Sequence, residues 1–547
     1  MTTPTTGVGP EDAAPEPEPS SSGPGSGGPE PPQSPEPLEP SEAPEPPEPP
    51  EPAEAPEPSE APEPAEAPEP ARHLRPRGRP WVLPGVLAMA AIGAGAAALA
   101  LDAKPASTAI GADTVATPLL SARRAPEVIA APVAERRLVA DLQAWLGASP
   151  AGTCLTVESQ GEVLFEHNAA TPLAGASTQK LLTATGLLLA LGPDAWLETR
   201  AVAPAAPQDG VVAGDLFVVG GGDAALGTAA WTGSAPGIRE PLVHDVDGLV
   251  DAIVAAGVTR IDGSVVGDGS RYDGERYNPV WPQRFIDQDA VGPIGGLMVN
   301  DGFAAFSPAQ SAAATVPAPD PAADAARVVT DRLRAKGVTV VGAPRAGRAP
   351  GGATEVAALA SPPVSQIVAE MLTDSDNETA EAALKEIGVA VSGEGSWAAG
   401  RAALTQLLSE AGVPLDGVTL VDGSGLSNQG RLTCRTLTDL LTRPETGTVI
   451  RDGLAVAGET GTLAEWWRGT PVAGRLRAKT GSLRNVTALA GEVDPQSGGT
   501  VTFAYVANVP EPGLLDPGDV NMNGLADILV SYPGGVDLAA LEPLPAG

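Results

Sequence analysis

The chain has 547 residues with 42% apolar content, enough for two or three domains with a sizeable core. Its formal net charge is −35, with 33 basic against 68 acidic side chains. Because so few basic side chains are present to bind phosphate groups, we expect no nucleic-acid partner. The only two cysteines are Cys154 and Cys434, which excludes a disulfide framework or a four-thiolate zinc site. One optional disulfide is the most that they can form.

The first part of the chain, residues 1–80, is dominated by proline and glutamate. A Glu-Ala-Pro-Glu-Pro motif recurs with a period of six residues through 54–71. Proline removes backbone hydrogen-bond donors and like charges repel each other, so this composition predicts an extended, disordered tail. No chemistry is indicated there.

An uncharged stretch, residues 81–101, follows four arginines between positions 72 and 79. Its length suits a bilayer, and the arginines indicate that the preceding tail is cytoplasmic. We therefore expect a transmembrane anchor with the rest of the chain extracytoplasmic. Small residues near 98–100 leave a cleaved signal peptide and secretion as the alternative. The proline-interrupted residues 102–133 predict a stalk.

The folded part is expected to begin near Glu135 with an amphipathic helix. Two alternating segments, 153–158 and 162–167, predict a β-hairpin around 159–161. The next segment, 181–191, is apolar on every face, which predicts a helix buried in a core.

Ser177 and Lys180 stand three positions apart where that apolar helix begins. Residues three apart share a helix face, so the serine hydroxyl and the lysine amine can come within hydrogen-bonding distance. A partly desolvated lysine loses its proton more readily and can then act as the base for a serine nucleophile. An isolated pair of this kind is more often a helix cap beside a solvated lysine, so the rest of the sequence has to decide.

The composition changes between about 196 and 355, where short strands alternate with glycine turns. Two helix-then-strand units are predicted at 246–266 and 325–341. We interpret 196–355 as an inserted region that divides one catalytic domain into 134–195 and 356–540.

Two further motifs follow the insertion. Ser375-Asp376-Asn377 comes after a predicted helix at 365–372 and, taken alone, would be a helix cap. Lys479-Thr480-Gly481 opens a predicted strand, and 486–493 and 500–509 continue it as an antiparallel sheet.

In this order, the three motifs are the signature of penicillin-binding proteins and class A β-lactamases. The chain has only five lysines, and Lys180 is the only one with a serine three positions before it, so coincidence is a poor explanation. None of the three histidines lies in a zinc-protease motif, and no Gly-x-Ser-x-Gly elbow occurs, so a serine hydrolase here needs a lysine base. We expect no metal and no cofactor.

The chain also resembles the D-alanyl-D-alanine carboxypeptidase/endopeptidase family, the class C low-molecular-mass penicillin-binding proteins of peptidase family S13. The resemblance covers about 135–535, and a large insertion between the first two motifs is typical of that family. It implies an α+β fold like that of penicillin-binding proteins and serine β-lactamases, an antiparallel sheet packed with helices. The matching stretches are 220–223, 263–268, 361–363, 422–427 and 477–491.

The resemblance implies a catalytic role for five residues. Ser177 attacks the carbonyl of the penultimate D-alanine and Lys180 takes its proton. Ser375 relays a proton to the leaving D-alanine, and Asn377 holds the substrate amide. Lys479 supplies a second positive charge, which should lower the pKa of Lys180.

The same resemblance implies substrate-binding roles. The Thr480 and Ser482 hydroxyls meet the terminal carboxylate beside Gly481, and the Ser177 and Ser482 backbone N–H groups form an oxyanion hole. Asp268 aligns with an acid of the insertion that binds the free amine of the stem-peptide side chain. The sequence departs from the family pattern at Asn428, where many relatives have an arginine associated with recognition of that side chain.

The predicted function is that of a membrane-anchored, serine-type D-Ala-D-Ala carboxypeptidase that acts on peptidoglycan stem peptides through an acyl-enzyme, with D,D-endopeptidase activity left open. β-Lactam antibiotics would acylate the same serine. Two alternatives remain: a serine β-lactamase, and a catalytically weak wall-binding scaffold.

Overall fold

The computed structural model describes residues 125–232, 242, 244–306, 315–496, 499–510, 513–515 and 520–533. The predicted tail, the predicted membrane anchor and most of the predicted stalk lie outside these residues. Within the ranges just given, no helix combines the length and the apolar character needed to cross a bilayer.

The described strands are, in chain order, β1 (Gly152–Ser159), β2 (Glu162–His167), β3 (Glu198–Ala203), β4 (Val211–Val212), β5 (Leu216–Val219), β6 (Leu226–Gly227), β7 (His244–Asp245), β8 (Arg260–Ile261), β9 (Val265–Asp268), β10 (Phe303–Ala305), β11 (Val316–Pro317), β12 (Thr339–Val340), β13 (Arg345–Ala346), β14 (Thr354–Ala360), β15 (Ala455–Val456), β16 (Leu476–Leu483), β17 (Val486–Val493) and β18 (Val501–Asn508). The described α-helices are α1 (Ala125–Leu146), α2 (Lys180–Leu191), α3 (Ala229–Thr232), α4 (Asp247–Ala255), α5 (Gln283–Asp287), α6 (Pro321–Ala335), α7 (Val364–Thr373), α8 (Asn377–Ser392), α9 (Trp397–Glu410), α10 (Cys434–Thr442), α11 (Gly447–Gly453) and α12 (Met522–Val530). Short 3-10 helices are formed by Ala176–Gln179, Asn300–Gly302 and Gly461–Leu463.

A six-stranded sheet in the order β15-β16-β17-β18-β1-β2 organises the catalytic part, and every neighbouring pair is antiparallel. The predicted hairpin is confirmed: Gln160 and Gly161, with φ of 52° and 81°, form the tight turn between β1 and β2. The predicted antiparallel strands at 486–493 and 500–509 are confirmed as β17 and β18.

Both faces of the central strands β1, β17 and β18 are buried, while β2 is mostly exposed. Side chains alternate between the two faces along each strand, so each face packs against a different cluster. On β17, Ala488 and Ala490 pack with a helical cluster built from α2, α7, α8, α9 and α10. Leu489 and Val493 pack on the other face with α1 and α12. Each fully buried leucine in such a layer contributes about 1.5–3 kcal/mol, so burial on two faces fixes the sheet firmly.

Helix α2 lies at the centre of the helical cluster. The prediction of a core helix is confirmed, since every residue from Lys180 to Leu188 is buried. The helix begins at Lys180, and Ser177 belongs to the 3-10 turn that precedes it.

The first helix begins earlier than expected. Helix α1 starts at Ala125 and occupies the end of the predicted stalk, including Pro126 and Pro132. A proline in the first turn removes a donor that the helix does not use, so Pro126 is tolerated there. At Pro132, the backbone carbonyl accepts a hydrogen bond from Arg136 Nε at 3.0 Å.

Within the described residues, the region between the first two motifs has four sheets and a core of its own. Its largest sheet has the order β13-β9-β5-β3-β14, a second has the order β12-β8-β4, and β10-β11 and β6-β7 are two-stranded. Both predicted helix-then-strand units are present, as α4 followed by β8 and α6 followed by β12, and β12 pairs with β8 in parallel. Helices α4 and α6 cover the sheets with Leu249, Ile253, Val329 and Leu333.

A group of charged side chains, which we name the clamp, joins this insertion to α8. It consists of Arg271, Asp273, Lys385 and Glu386. Arg271 Nε donates to Glu386 Oε2 at 2.8 Å, and Lys385 Nζ donates to Asp273 Oδ1 at 2.6 Å. The C-terminal half of α8 is therefore tied to the insertion, while its N-terminus begins at Asn377.

The two cysteines are joined. Cys154 of β1 and Cys434 at the start of α10 form a disulfide across a Cα–Cα distance of 6.0 Å, and both are fully buried. The bond connects two segments separated by 280 positions in the sequence.

Candidate active site

Ser177 lies on a tight turn that backbone contacts hold in place. The turn starts at Ala176, whose φ is 48°, and the Thr178 N–H and hydroxyl both bond the Gly175 carbonyl, at 3.2 and 2.7 Å. Gly425, with φ of 82°, packs so closely that a Cβ there would lie 2.0 Å from the Ala176 carbonyl oxygen. This packing leaves Ser177 half-buried at the N-terminus of α2.

Lys180 is fully buried and reaches three oxygen atoms. Its Nζ lies 3.1 Å from Ser177 Oγ, 2.7 Å from Asn377 Oδ1 and 3.0 Å from the Ser424 carbonyl oxygen. A neutral amine has two N–H groups and one lone pair. When Asn377 and Ser424 accept the two N–H groups, the lone pair is left for the hydroxyl proton of Ser177. This is the geometry of a general base beside its nucleophile.

The electrostatic environment adjusts this lysine for proton transfer. Burial lowers the pKa of Lys180 to about 8, against the opposing effect of the carboxylates of Glu381, Asp376, Asp422 and Glu378. Its three hydrogen-bond acceptors are all uncharged. A useful fraction of the amine is therefore unprotonated near neutral pH.

In the second motif, one residue caps a helix and the next contacts the catalytic lysine. Asp376 is the N-cap of α8 and accepts a hydrogen bond from the Thr379 N–H at 2.7 Å, as the capping interpretation predicts. Asn377, the next residue, contacts Lys180. Ser375 is half-buried just before them, with a φ of 64° that is uncommon for a non-glycine residue.

The insertion also contacts the second motif. Asn377 Nδ2 donates to the Ala290 carbonyl at 2.7 Å, and the Gly292 N–H donates to Glu378 Oε1 at 2.6 Å. Two consecutive side chains at the start of α8 thus hold one loop of the insertion against the site.

The third motif brings β16 to the other side of Ser177. A Cβ on Gly481 would lie 2.5 Å from the Gly175 carbonyl oxygen, so only glycine allows this close approach of the strand to the turn. Thr480 is half-buried and its hydroxyl contacts Thr462 Oγ1 at 3.1 Å, while Ser482 is exposed. Strand β15 covers β16 only as far as Arg477 and Ala478.

Lys479 is fully buried on β16, and its Nζ donates to the Thr480 carbonyl at 3.0 Å. Burial, and then the charge of Lys180, hold the pKa of Lys479 well below its usual range, while Asp374 opposes the shift. The repulsion between the two amines therefore acts on Lys479. For Lys180, burial is the main cause of the lowered pKa, which differs from the expected effect of Lys479.

The hydrogen bonds that the Asp268 carboxylate accepts from described residues do not come from the catalytic residues. Asp268 is buried at the end of β9, where its two carboxylate oxygens accept hydrogen bonds from the Ser270 N–H at 2.9 Å and the Ala349 N–H at 2.8 Å. These two bonds link β9 to the segments around Ser270 and Ala349, and the expected contact with a substrate amine stays a prediction.

Three residues near the motifs were not predicted. Ser424 supplies a backbone carbonyl to Lys180, and the stretch 422–427 that carried the family resemblance contained it. Glu381 lies four positions after Asn377 on α8, a spacing that places both on one helix face. Asp301 accepts a hydrogen bond from Trp231 Nε1 at 3.0 Å. Burial, together with the nearby Asp376 and Glu378, raises the pKa of Asp301 well above its usual range.

A groove of about 710 Å³ is lined in part by residues that come just before the nucleophile turn in the chain. Leu173 and Ala174 form part of its wall, together with the side chains of Asn428, Asn485 and Asn508. The departure from the family pattern at position 428 therefore lies in the wall of this groove.

Comparison with known proteins agrees with this geometry. Carboxypeptidase DacB of Mycolicibacterium smegmatis is 32% identical over 483 residues, which cover 84% of this chain and 99% of that protein. The D-alanyl-D-alanine carboxypeptidase of Actinomadura sp. is 28% identical over 437 residues, covering 66% of this chain and 78% of the relative. The crystal structure of penicillin binding protein 4 (dacB) from Haemophilus influenzae superposes with a TM-score of 0.57 over 71% of this chain and 98% of that chain, at 20% identity.

The structural similarity establishes the fold of penicillin-binding proteins. The sequence model of the D-Ala-D-Ala carboxypeptidase 3 (S13) family matches two overlapping segments, 137–314 and 307–519, which hold all three motifs. The resemblance found in the sequence is confirmed, and the chain belongs to the D-Ala-D-Ala carboxypeptidase 3 (S13) family.

Proposed function

We propose that this chain is a serine-type D-alanyl-D-alanine carboxypeptidase that cleaves peptidoglycan stem peptides through an acyl-enzyme. One observation carries the proposal: the buried amine of Lys180 lies 3.1 Å from Ser177 Oγ, and its other two contacts are uncharged acceptors. The family description and the name of the Actinomadura relative supply the substrate class.

Acylation follows from this contact. Ser177 Oγ attacks the carbonyl carbon of the penultimate D-alanine, and its proton passes to Lys180 Nζ. The backbone N–H groups of Ser177 and Ser482 would stabilise the oxyanion, an effect worth about 3 kcal/mol per donor. The proton then moves through the Ser375 hydroxyl to the nitrogen of the departing D-alanine, and the C–N bond breaks.

Lys479 and the strand that carries it would bind the substrate carboxylate. A carboxylate that arrives beside Lys479 stabilises the protonated amine and so raises its lowered pKa again. The hydroxyls of Thr480 and Ser482 add uncharged donors on the same strand. Substrate binding would thereby place a positive charge where the free enzyme disfavours one.

Deacylation uses the same groups in reverse. Water attacks the ester carbonyl, Lys180 accepts a proton from the water, and the amine passes that proton to Ser177 Oγ as the C–O bond breaks and the product leaves. A cross-link in peptidoglycan is also a D-alanyl amide, so D,D-endopeptidase activity requires no other catalytic group. A β-lactam ring would acylate Ser177 in the same way, but its leaving group remains attached.

The experiment is intact mass spectrometry of the purified chain with and without a penicillin, beside its Ser177→Ala variant. We expect one stable adduct on the parent, none on the variant, and release of D-alanine from a pentapeptide by the parent only. Destruction of the penicillin without an adduct would make the chain a β-lactamase. Absence of both reactions would leave a wall-binding scaffold.

We further propose that residues 81–101 anchor the catalytic part outside the cytoplasm. The support is the uncharged length of that stretch and the arginines before it. Fractionation of cells, followed by protease treatment from outside, tests this location. A mature protein that begins after the stretch and is recovered from the medium would mean secretion instead.

A further inference from the structure

Glu381 is a buried carboxylate that has no part in the chemistry described so far. It lies one helical turn after Asn377 on α8 and is fully buried. Its oxygens accept hydrogen bonds from the Ser424 N–H at 2.7 Å, the Gly423 N–H at 3.0 Å and Trp397 Nε1 at 2.7 Å. Three N–H donors stabilise a carboxylate that would otherwise be costly to bury.

These hydrogen bonds hold the backbone of residues 423 and 424, which supplies a hydrogen-bond acceptor to Lys180. The Ser424 N–H points to Glu381, and the carbonyl of the same residue accepts the 3.0 Å hydrogen bond from Lys180 Nζ. Thr183 Oγ1 donates to the neighbouring Gly423 carbonyl at 2.7 Å. The orientation of the Ser424 carbonyl therefore depends on what holds residues 423 and 424.

A second carboxylate holds the same loop from the other side. Asp422 accepts hydrogen bonds from Trp281 Nε1 at 3.0 Å and the Ser427 N–H at 2.7 Å. The rings of Trp281 and Trp397 pack edge to face, with their centroids 5.6 Å apart. Trp397 in turn donates its Nε1–H to Glu381. The network forms a closed circuit around the loop, so the loop has little freedom to compensate for a change in one member.

We propose that Glu381 is a positioning residue for the catalytic base. By holding the Ser424 carbonyl against Lys180, it keeps one N–H of the amine engaged and the lone pair directed at Ser177 Oγ. It acts through Ser424 and does not touch substrate. The inference rests on the proposed function, in which Lys180 is the base.

Charge provides a readout separate from shape. The groups that act on Lys180 are the carboxylates of Glu381, Asp376, Asp422 and Glu378, and Lys479 faces it from β16. Burial, and then the charge of Asp422, raise the pKa of Glu381 itself to about 7. Above that pH its carboxylate raises the pKa of Lys180 against the effect of burial. Glu381→Gln removes that charge, so the pH at which Lys180 becomes a base should fall.

The test measures the rate constant of acylation by a penicillin from pH 5 to 10 in three variants and the parent. Glu381→Gln places an amide N–H₂ among N–H donors, and we expect acylation to fall about 100-fold, as for a misplaced catalytic group. Its acid limb should move to lower pH. Glu381→Asp keeps the charge but withdraws the carboxylate, so the rate should fall while the limb stays.

Glu386→Gln is the matched control. Glu386 is buried on the same helix and paired with Arg271, but it belongs to the clamp and does not contact the 422–427 loop. We expect a lower melting temperature with the parental acylation rate and the parental acid limb.

Three results would overturn the inference. One is a parental rate and limb in Glu381→Gln, and another is an equal rate loss in Glu386→Gln with both limbs unmoved. If Glu381→Gln does not fold, Glu381→Asp decides, and a parental rate in that variant is the third. Failure of the parent to form an adduct would instead refute the proposed function.

Discussion

Two buried lysines on adjacent helices differ in their hydrogen-bond partners and therefore in the role that we assign to them. Lys180 and Lys385 are both fully buried, and burial lowers the pKa of each. Lys385, in the clamp, contacts the Asp273 carboxylate at 2.6 Å and lies 3.7 Å from the centroid of the Trp397 ring. The hydrogen bonds of Lys180 Nζ to described residues go to a hydroxyl, an amide oxygen and a backbone carbonyl.

The difference lies in where the negative charge is. A carboxylate in direct contact stabilises the protonated amine of Lys385 and makes it a structural link. The carboxylates around Lys180 act on it from a distance and leave its lone pair available to Ser177. Burial alone therefore does not identify a catalytic lysine, and the nearest acceptor does.

The largest expected effect comes from exchanging each lysine for methionine. Lys180→Met should reduce acylation by penicillin about 10²–10⁴-fold, because it removes the general base. Lys385→Met should leave acylation near the parental rate and lower the free energy of unfolding by about 1–3 kcal/mol, since Asp273 loses its partner but is partly exposed. Stopped-flow acylation and denaturant unfolding measure the two effects. Similar acylation rates in both variants would erase the distinction.

The second prediction compares two glycines, Gly481 on β16 beside the nucleophile turn and Gly274 beside the clamp residue Asp273. Gly481→Ala should reduce acylation about 10–100-fold, because its Cβ would lie 2.5 Å from the Gly175 carbonyl and move β16 away from Ser177. Gly274→Ala, in the clamp loop, is the matched control, since no atom lies within 4 Å of its Cβ position. Acylation by both variants at the parental rate would mean that β16 can shift freely.

The third prediction is the pH dependence of acylation. Lys180 must be unprotonated to act as a base, so the rate should rise with pH and level off above its pKa of about 8. Between pH 6 and pH 8 the unprotonated fraction, and with it the rate, should increase about 50-fold. Lys385→Met should have the same limb. A pH-independent rate over this interval would contradict the assignment of Lys180 as the base.

The smallest expected effect on acylation comes from removing the disulfide, which joins β1 to α10 and forms no part of the proposed mechanism. Replacing Cys154 and Cys434 with alanine should lower the free energy of unfolding by about 2–4 kcal/mol, because the unfolded chain gains freedom. The acylation rate should stay parental. Thermal unfolding of the parent and the variant measures the change, and mass spectrometry of the parent after thiol alkylation checks that its two cysteines are joined. An unaltered melting temperature would mean that packing alone holds β1 to α10.

The sequence predicted those features of the fold and the site that depend on neighbouring residues within one short segment. The spacing of Ser177 and Lys180, the apolar helix behind them and the alternation of β16 to β18 are properties of neighbouring residues, and the structure agrees with each. The three motifs could be ordered along the chain, and their order identified the family.

Features that depend on distant partners could not be predicted in this way. The surroundings of Asp268 are one example, because its carboxylate accepts a hydrogen bond from the N–H of Ala349, which is 81 positions away. Glu381 gave no signal, because its donors lie on a loop about 40 positions later and on the next helix. The start of α1 was also missed, because prolines usually end a helix, whereas α1 contains Pro126 in its first turn and Pro132 in its interior.

The order of pairing in the main sheet has a consequence for synthesis of the protein. Strand β1 pairs with β18, the last of the described strands, and Lys180 meets Asn377 across 197 positions. Contacts between such distant segments form late, after the entropy of closing long loops has been overcome. A nascent chain that already carries Ser177 therefore has no assembled base and no third motif. The nucleophile stays silent until nearly the whole catalytic part has been made.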